Sequence, residues 1–269
     1  MMLVIRQRQI VGLETLARRR FEDTLVDHVA TYFPNHARVL GEPRVRQVID
    51  YGLARARLHG FTSERNLCLY LDLMLMLGSN FDVDPQLPWA AEILMDPASE
   101  HPTLRIDRLT NAAMDHMDRS AGADDGHLRR VLDGVRGDLP TRLAELDASS
   151  GLWSECAAAL LVRLWPERCA LLGAAGMQDL IHVAHESASH YGLHSRRARA
   201  IYLVCTFVLG SHFDSDPQHP WATAALKTEG LDAAARAMRL YNDGMAWLAG
   251  LLAREHRKSD RDRDGEESR

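Results

Sequence analysis

One thirteen-residue segment occurs twice in this protein. Residues 78–90 read GSNFDVDPQLPWA and residues 210–222 read GSHFDSDPQHPWA, with ten positions identical at an offset of 132. Such a repeat restricts the fold to architectures built from two copies of one unit. The match extends well beyond the segment. Phe33-Pro34 pairs with Trp165-Pro166, Leu40-Gly41 with Leu172-Gly173, Gly60 with Gly192, Ser63 with Ser195, and Tyr70-Leu71 with Tyr202-Leu203. Beyond the segment the offset slips to 131, and Arg105, Arg108, Leu109, Asn111 and Met114 pair with Arg236, Arg239, Leu240, Asn242 and Met245.

The periodicity of the unit is helical. Leu16, Phe21, Leu25, Val29 and Phe33 recur at three-to-five-residue steps, as on a helix with one buried stripe, and Pro34 interrupts it. Pro43 opens a second helix carrying Val45, Val48, Ile49 and Leu53. Thr62 or Ser63 caps a third, which runs to Leu77 and stops at Gly78. Its second half, LCLYLDLMLML, is apolar nearly all round, which marks the central helix of the unit. The FDVDPQLP stretch reads as a loop, and Pro88 and Pro102 begin further helices. Val4-Ile5 reads as a short extended piece. The expected fold is all-α: a tandem repeat of two bundles of five or six helices each, related by a pseudo-two-fold. The divisions fall at 1–119 for unit one, 120–135 for a linker (SAGADDG, Ser120–Gly126) and connecting helix, and 136–254 for unit two. A charged tail at 255–269, with no apolar residues, is expected to be disordered.

Composition narrows the partners. A net charge of -5 argues against nucleic acid. The longest apolar run, Leu67 to Leu77, is too short to cross a membrane. Four cysteines without a CxxC pair fit a reduced, cytoplasmic protein. The opening MMLVIRQRQIVGL, broken by Arg6 and Arg8, does not read as a signal peptide.

Three residue groups are candidates for chemistry. In the repeated segment, Asp82/Asp84 and Asp214/Asp216 are carboxylate pairs of the kind that hold a hard cation. A structural role accounts for more of the repeat, with Phe81 and Phe213 part of the same motif: aspartates accepting from loop amides, Pro85 and Pro217 setting turns, Pro88 and Pro220 beginning the next helix, and Trp89 and Trp221 anchoring it in the core. In unit two, His182, His185 and Glu186 stand at i, i+3 and i+4 on one helix face, a spacing that can ligate zinc or iron. The corresponding unit-one residues are Asp50, Leu53 and Ala54, so such a site belongs to unit two alone. Asp72 interrupts the apolar central helix; the expected reading is a buried ion pair, with Arg44, Arg46, Arg55 or Arg57 within reach, or a partly exposed edge. The repeated Arg-x-x-Arg-Leu-x-Asn is expected to tether the last helix to the Asp-rich loop. No phosphate loop or nucleophile elbow is present, and no cofactor is expected.

Arg65-x-x-Cys68-x-Tyr70-x-Asp72-Leu73-Met74, followed by Gly78-x-x-Phe81-Asp82-x-Asp84-Pro85 and Pro88-Trp89-Ala90, resembles a group of uncharacterised helical bacterial proteins associated with type VI secretion effector gene clusters. The resemblance covers much of unit one and less of unit two, which lacks the Cys-x-Tyr-x-Asp pattern. It implies a cytoplasmic accessory role as an effector chaperone, adaptor or immunity-type partner, and brings no catalytic residues. The expected function is therefore a non-enzymatic protein-interaction module with another protein as partner. The alternative is a helical metal-dependent enzyme centred on His182, His185 and Glu186.

Overall fold

Proline and glycine cut the apolar stripes into helices of defined length. In the computed structural model, which describes residues 7–96 and 101–252, α1 (Gln7–Tyr32) ends before Pro34, whose ring forces Phe33 out of helical conformation, to φ -125° and ψ 54°. The same proline starts α2 (Pro34–Leu40), a short helix beyond the break. Next come α3 (Glu42–Leu58) and α4 (Glu64–Leu77). Of the two candidate caps, Ser63 is the one used: its hydroxyl accepts from the Asn66 amide at 3.3 Å. The Phe81–Val83 turn is 3₁₀, and α5 (Pro88–Met95) and α6 (Pro102–Ala121) complete this half. The second half runs through α7 (Gly126–Gly137), α8 (Leu139–Ala148), α9 (Trp153–Leu164), α10 (Pro166–His190), α11 (Arg196–Leu209), α12 (Pro220–Leu226) and α13 (Ala233–Leu252). Among the described residues there is no strand, and no helix is long and apolar enough to cross a membrane. Val4-Ile5 and the 255–269 tail lie outside the described residues.

The buried side chains form two clusters. One gathers α1 and α3–α6 around Ile49, Tyr70, Leu71, Met74 and Phe81, and the other gathers α7–α13 around Leu180, Tyr202, Phe207 and Phe213. Each contains a tyrosine on its central helix against the phenylalanine of the repeated loop: Tyr70 and Phe81 lie 5.1 Å apart, Tyr202 and Phe213 5.0 Å. The start of the 120–126 connection packs against the second half. Ser120 and Ala121 finish α6, and the Ser120 carbonyl accepts from the Trp165 indole at 2.9 Å. Val131 and Val135 of α7 pack into the second cluster, so the connecting helix is part of that core.

The last helix of each half is tethered away from the Asp-rich loop. Arg105 donates to the His59 carbonyl at the α3–α4 corner, and Arg108 pairs with Asp96 at 2.8 Å. In the second half Arg236 donates to the Leu226 carbonyl at 3.2 Å.

Candidate functional site

The four repeated aspartates divide into two kinds of contact. Asp82 faces into its own half. Arg55 Nη2, from α3, donates to it at 2.5 Å, and His59 Nε2, from the residue just past the end of that helix, sits at 2.7 Å. Burial pushes the Asp82 carboxyl up, but the bonds from His59 and Arg55 outweigh it and hold the group below the usual carboxylate range. Asp214 is held instead by the Tyr191 hydroxyl at 2.8 Å.

The second aspartate of each pair reaches across to the other half. Asp84 accepts from the Ser211 amide at 2.8 Å and the Ser211 hydroxyl at 2.9 Å; Asp216 accepts from the Ser79 amide at 2.8 Å and the Ser79 hydroxyl at 2.5 Å. Each also accepts from the amide two residues on, Gln86 at 2.9 Å and Gln218 at 2.7 Å. The glutamines cross too: Gln86 donates to the Thr206 carbonyl and Gln218 to the Met74 carbonyl, each at 2.9 Å. Every one of these carboxylates, serines and glutamines is buried. The exchange is reciprocal, position for position.

Close approach at this seam explains the repeated glycines. Gly78 and Gly210 end α4 and α11 at φ +100° and +97°, in a region that is essentially glycine-only. A β-carbon on Gly78 would meet the Leu209 carbonyl at 3.0 Å, and one on Gly210 would meet Asp84 Oδ2 at 3.1 Å.

Beside the seam lies a cavity of about 480 Å³ that both halves line. Corresponding positions face it in pairs that differ in chemistry: Phe33 and Trp165, His36 and Arg168, His116 and Trp247, Leu87 and His219. Arg168 is the cation of this set. Its guanidinium lies 5.0 Å from the Trp165 ring centroid and 5.4 Å from that of Phe207. Its Nε has no hydrogen-bond partner, and no carboxylate among the described residues forms a salt bridge with it. Burial pulls its pKa down, and the charge of Asp84 offsets part of that. The histidines are held neutral. Burial, then Arg168 and Arg119, pulls His116 down to about 4, and burial followed by His219 lowers His36. His219 is lowered by burial and leaves Nδ1 without a partner. Asp118 and Asp125 stand exposed at the rim.

The histidine group of α10 does not assemble. His182 Nε2 lies 3.3 Å from Glu186, but both side chains are well exposed, and His185 joins them in no converging set of ligand atoms. The group of His, Cys, Asp or Glu that does converge among the described residues is His28, Cys68 and Asp72, on α1 and α4. Asp72 therefore pairs with His28, at 2.7 Å, and not with an arginine. The four arginines are placed elsewhere: Arg55 binds Asp82, Arg46 binds Asp23 and Glu42, Arg44 binds Gln47, and Arg57 is solvent-exposed. Burial raises the Asp72 carboxyl, with the His28 contact opposing, and burial together with Asp72 pushes the Cys68 thiol up to about 11.

Sequence reasoning misses the seam cavity and His28. The signal for them is divergence between copies at matched positions: His36 against Arg168, Leu87 against His219, His116 against Trp247, and His28 against Leu160. The protein matches no protein-family model, no curated protein and no solved structure. The class that can be stated is an all-helical protein whose halves exchange buried aspartates.

Proposed function

We propose that this is a non-enzymatic binding protein: two helical repeat units, related by an approximate two-fold, that take an acid-bearing segment of a partner protein in the cavity at their seam. The duplicated-unit reading is supported by the reciprocity of the Asp84–Ser211 and Asp216–Ser79 bonds. It makes the most repeated residues fasteners and leaves the diverged ones free for recognition.

The observation that carries the binding reading is Arg168. A half-buried guanidinium with no salt-bridge partner, whose charge Asp84 offsets only in part, is costly to hold, and a carboxylate from a partner offsets the rest. Around it, Trp165, Trp247 and Phe33 supply apolar wall, and neutral His116 and His219 supply further polar contacts. Such a pocket suits a carboxylate on an apolar stem, as at the C-terminus of a polypeptide or a glutamate beside aromatic residues. A secreted effector is the partner that the resemblance to type VI secretion-associated proteins implies.

The test compares proteins retained from the native host by the intact protein and by its Arg168→Met variant. A single protein retained by the first, lost with the second, and cross-linked to the seam through an acidic segment supports the reading. Equal retention by both refutes the role of Arg168.

A further inference from the structure

Unit one holds three half-buried polar side chains at positions where unit two holds none. His28, Cys68 and Asp72 correspond to Leu160, Ala200 and Val204, all three buried in the second core. The helical unit therefore folds with an apolar trio at these positions. Putting an imidazole, a thiol and a carboxylate there carries a desolvation cost that packing does not require. We propose that His28, Cys68 and Asp72 form a divalent transition-metal site, with Zn²⁺ the ion its donors fit.

The geometry is that of ligands converging on one point. The three donor atoms lie within 4.8 Å of one another. His28 Nε2 faces both partners at once, Asp72 Oδ1 at 2.7 Å and Cys68 Sγ at 3.6 Å. A nucleophilic Cys-His-Asp array needs the histidine to address cysteine and aspartate through different ring nitrogens. Here one nitrogen serves both, which suits a shared cation.

The distances agree with zinc chemistry. Bonds of about 2.0 Å to nitrogen and about 2.3 Å to sulfur at a tetrahedral angle place the two donors about 3.5 Å apart, close to the 3.6 Å already present between His28 and Cys68. The carboxylate oxygen has to move out from hydrogen-bond range to about 3.3 Å from the nitrogen, a small rotation of a side chain that keeps 21% exposure. Cys68 and Asp72 are one turn apart on α4, while His28 approaches from α1, its ring 4.6 Å from that of Tyr32. Thiolate with imidazole and carboxylate is a mixed donor set that selects zinc over hard ions such as Mg²⁺. On binding, the thiol proton leaves to solvent, the proton shared by His28 Nε2 and Asp72 moves to His28 Nδ1 or to solvent, and the cation offsets the thiolate charge. Three protein ligands leave a fourth corner for water or a small anionic ligand.

The site is independent of the seam cavity, so each is tested separately. The full-length protein, purified without a histidine tag and stripped by chelator, is titrated with Zn²⁺ and with Co²⁺ as a spectroscopic probe. The expected result is about one equivalent of zinc per molecule and a cobalt–thiolate charge-transfer band. Cys68→Ala and Asp72→Val install the unit-two residues. They should keep the helical circular dichroism; the first should abolish the band and the second weaken binding at least about tenfold. His182→Ala with His185→Ala should change neither. A second readout needs no variant: Zn²⁺ should slow alkylation of Cys68, mapped by mass spectrometry, and leave Cys156 unaffected. No band, a band that survives Cys68→Ala, or an alkylation rate indifferent to Zn²⁺ would each overturn the proposal.

Discussion

Removing one carboxylate from the seam should destabilise the whole molecule, and the size of the effect can be worked out from the partners it abandons. Asp84→Ala leaves the Ser211 amide, the Ser211 hydroxyl and the Gln86 amide without their acceptor, all in buried residues. A buried polar group left unpaired costs about 1–3 kcal/mol, and the hydroxyl can turn toward another acceptor, so the sum is about 3–5 kcal/mol. Asp84→Asn is informative beside it. With its oxygen in the Oδ1 position the new amide still accepts from the Gln86 amide and the Ser211 hydroxyl, but its NH₂ group confronts the Ser211 amide, and the cost should be about 1–3 kcal/mol. Asp216→Ala is the matching change, releasing Ser79 and Gln218. The assay is urea unfolding followed by circular dichroism, reading midpoint and slope together. Because both carboxylates clamp one seam, the double variant should lose at least about 1 kcal/mol less than the two single losses added. A cost under about 1 kcal/mol for Asp84→Ala, or strict additivity in the double variant, would refute the reading of the two loops as one lock.

Three further outcomes follow from the same contacts. Gly210→Ala should cost about 2–4 kcal/mol in thermal unfolding, from its φ of +97° and the 3.1 Å approach to Asp84, whereas Gly230→Ala, at φ +78° in open space, should cost about 1 kcal/mol. Asp82→Asn strands Arg55 and His59 and should cost about 3 kcal/mol; Asp214→Asn, at a half-buried site with a tyrosine partner, should cost about 1 kcal/mol. For His116, held down to about 4 by burial, Arg168 and Arg119, the unfolded state binds a proton near the ordinary 6.5 that the folded state refuses. Stability should therefore fall as pH drops from about 6.5 to about 4; His116→Gln should flatten that slope in urea midpoints taken across the window, and an unchanged slope would show that His116 is not the group responsible.

The all-helical class is legible in the sequence because its signals are local. The 3.6-residue stripe through Leu25 and Val29, the Ser63 cap and the proline starts at Pro88 and Pro102 act over a few residues, and the structure uses each of them. The short α2 is hidden because Pro34 both ends one helix and begins the next. For Asp72 the sequence suggests an arginine because α3 and its start carry four of them, but the choice depends on which neighbour lies across from α4. That neighbour is α1, bearing His28. Side-chain partners more than 40 residues away are set by packing, which periodicity does not encode.

The same distinction orders the repeated loop. Its repeated features can be read within one copy as turns and caps, and the Gln86 amide donating to Asp84 is such a turn. The local turn marks Asp84 but does not show where its remaining capacity goes: Asp84 spends it on Ser211 of the other half, while Asp82 turns inward to Arg55 and His59 of its own. The matched positions that differ in chemistry lie off these bonds: His36 and Arg168, Leu87 and His219 at the cavity, and His28, Cys68 and Asp72 against Leu160, Ala200 and Val204. Asp84→Ala and Cys68→Ala therefore should fail in different ways: the first should make the protein unfold more easily, and the second should leave its stability in chelator nearly unchanged while removing its response to zinc.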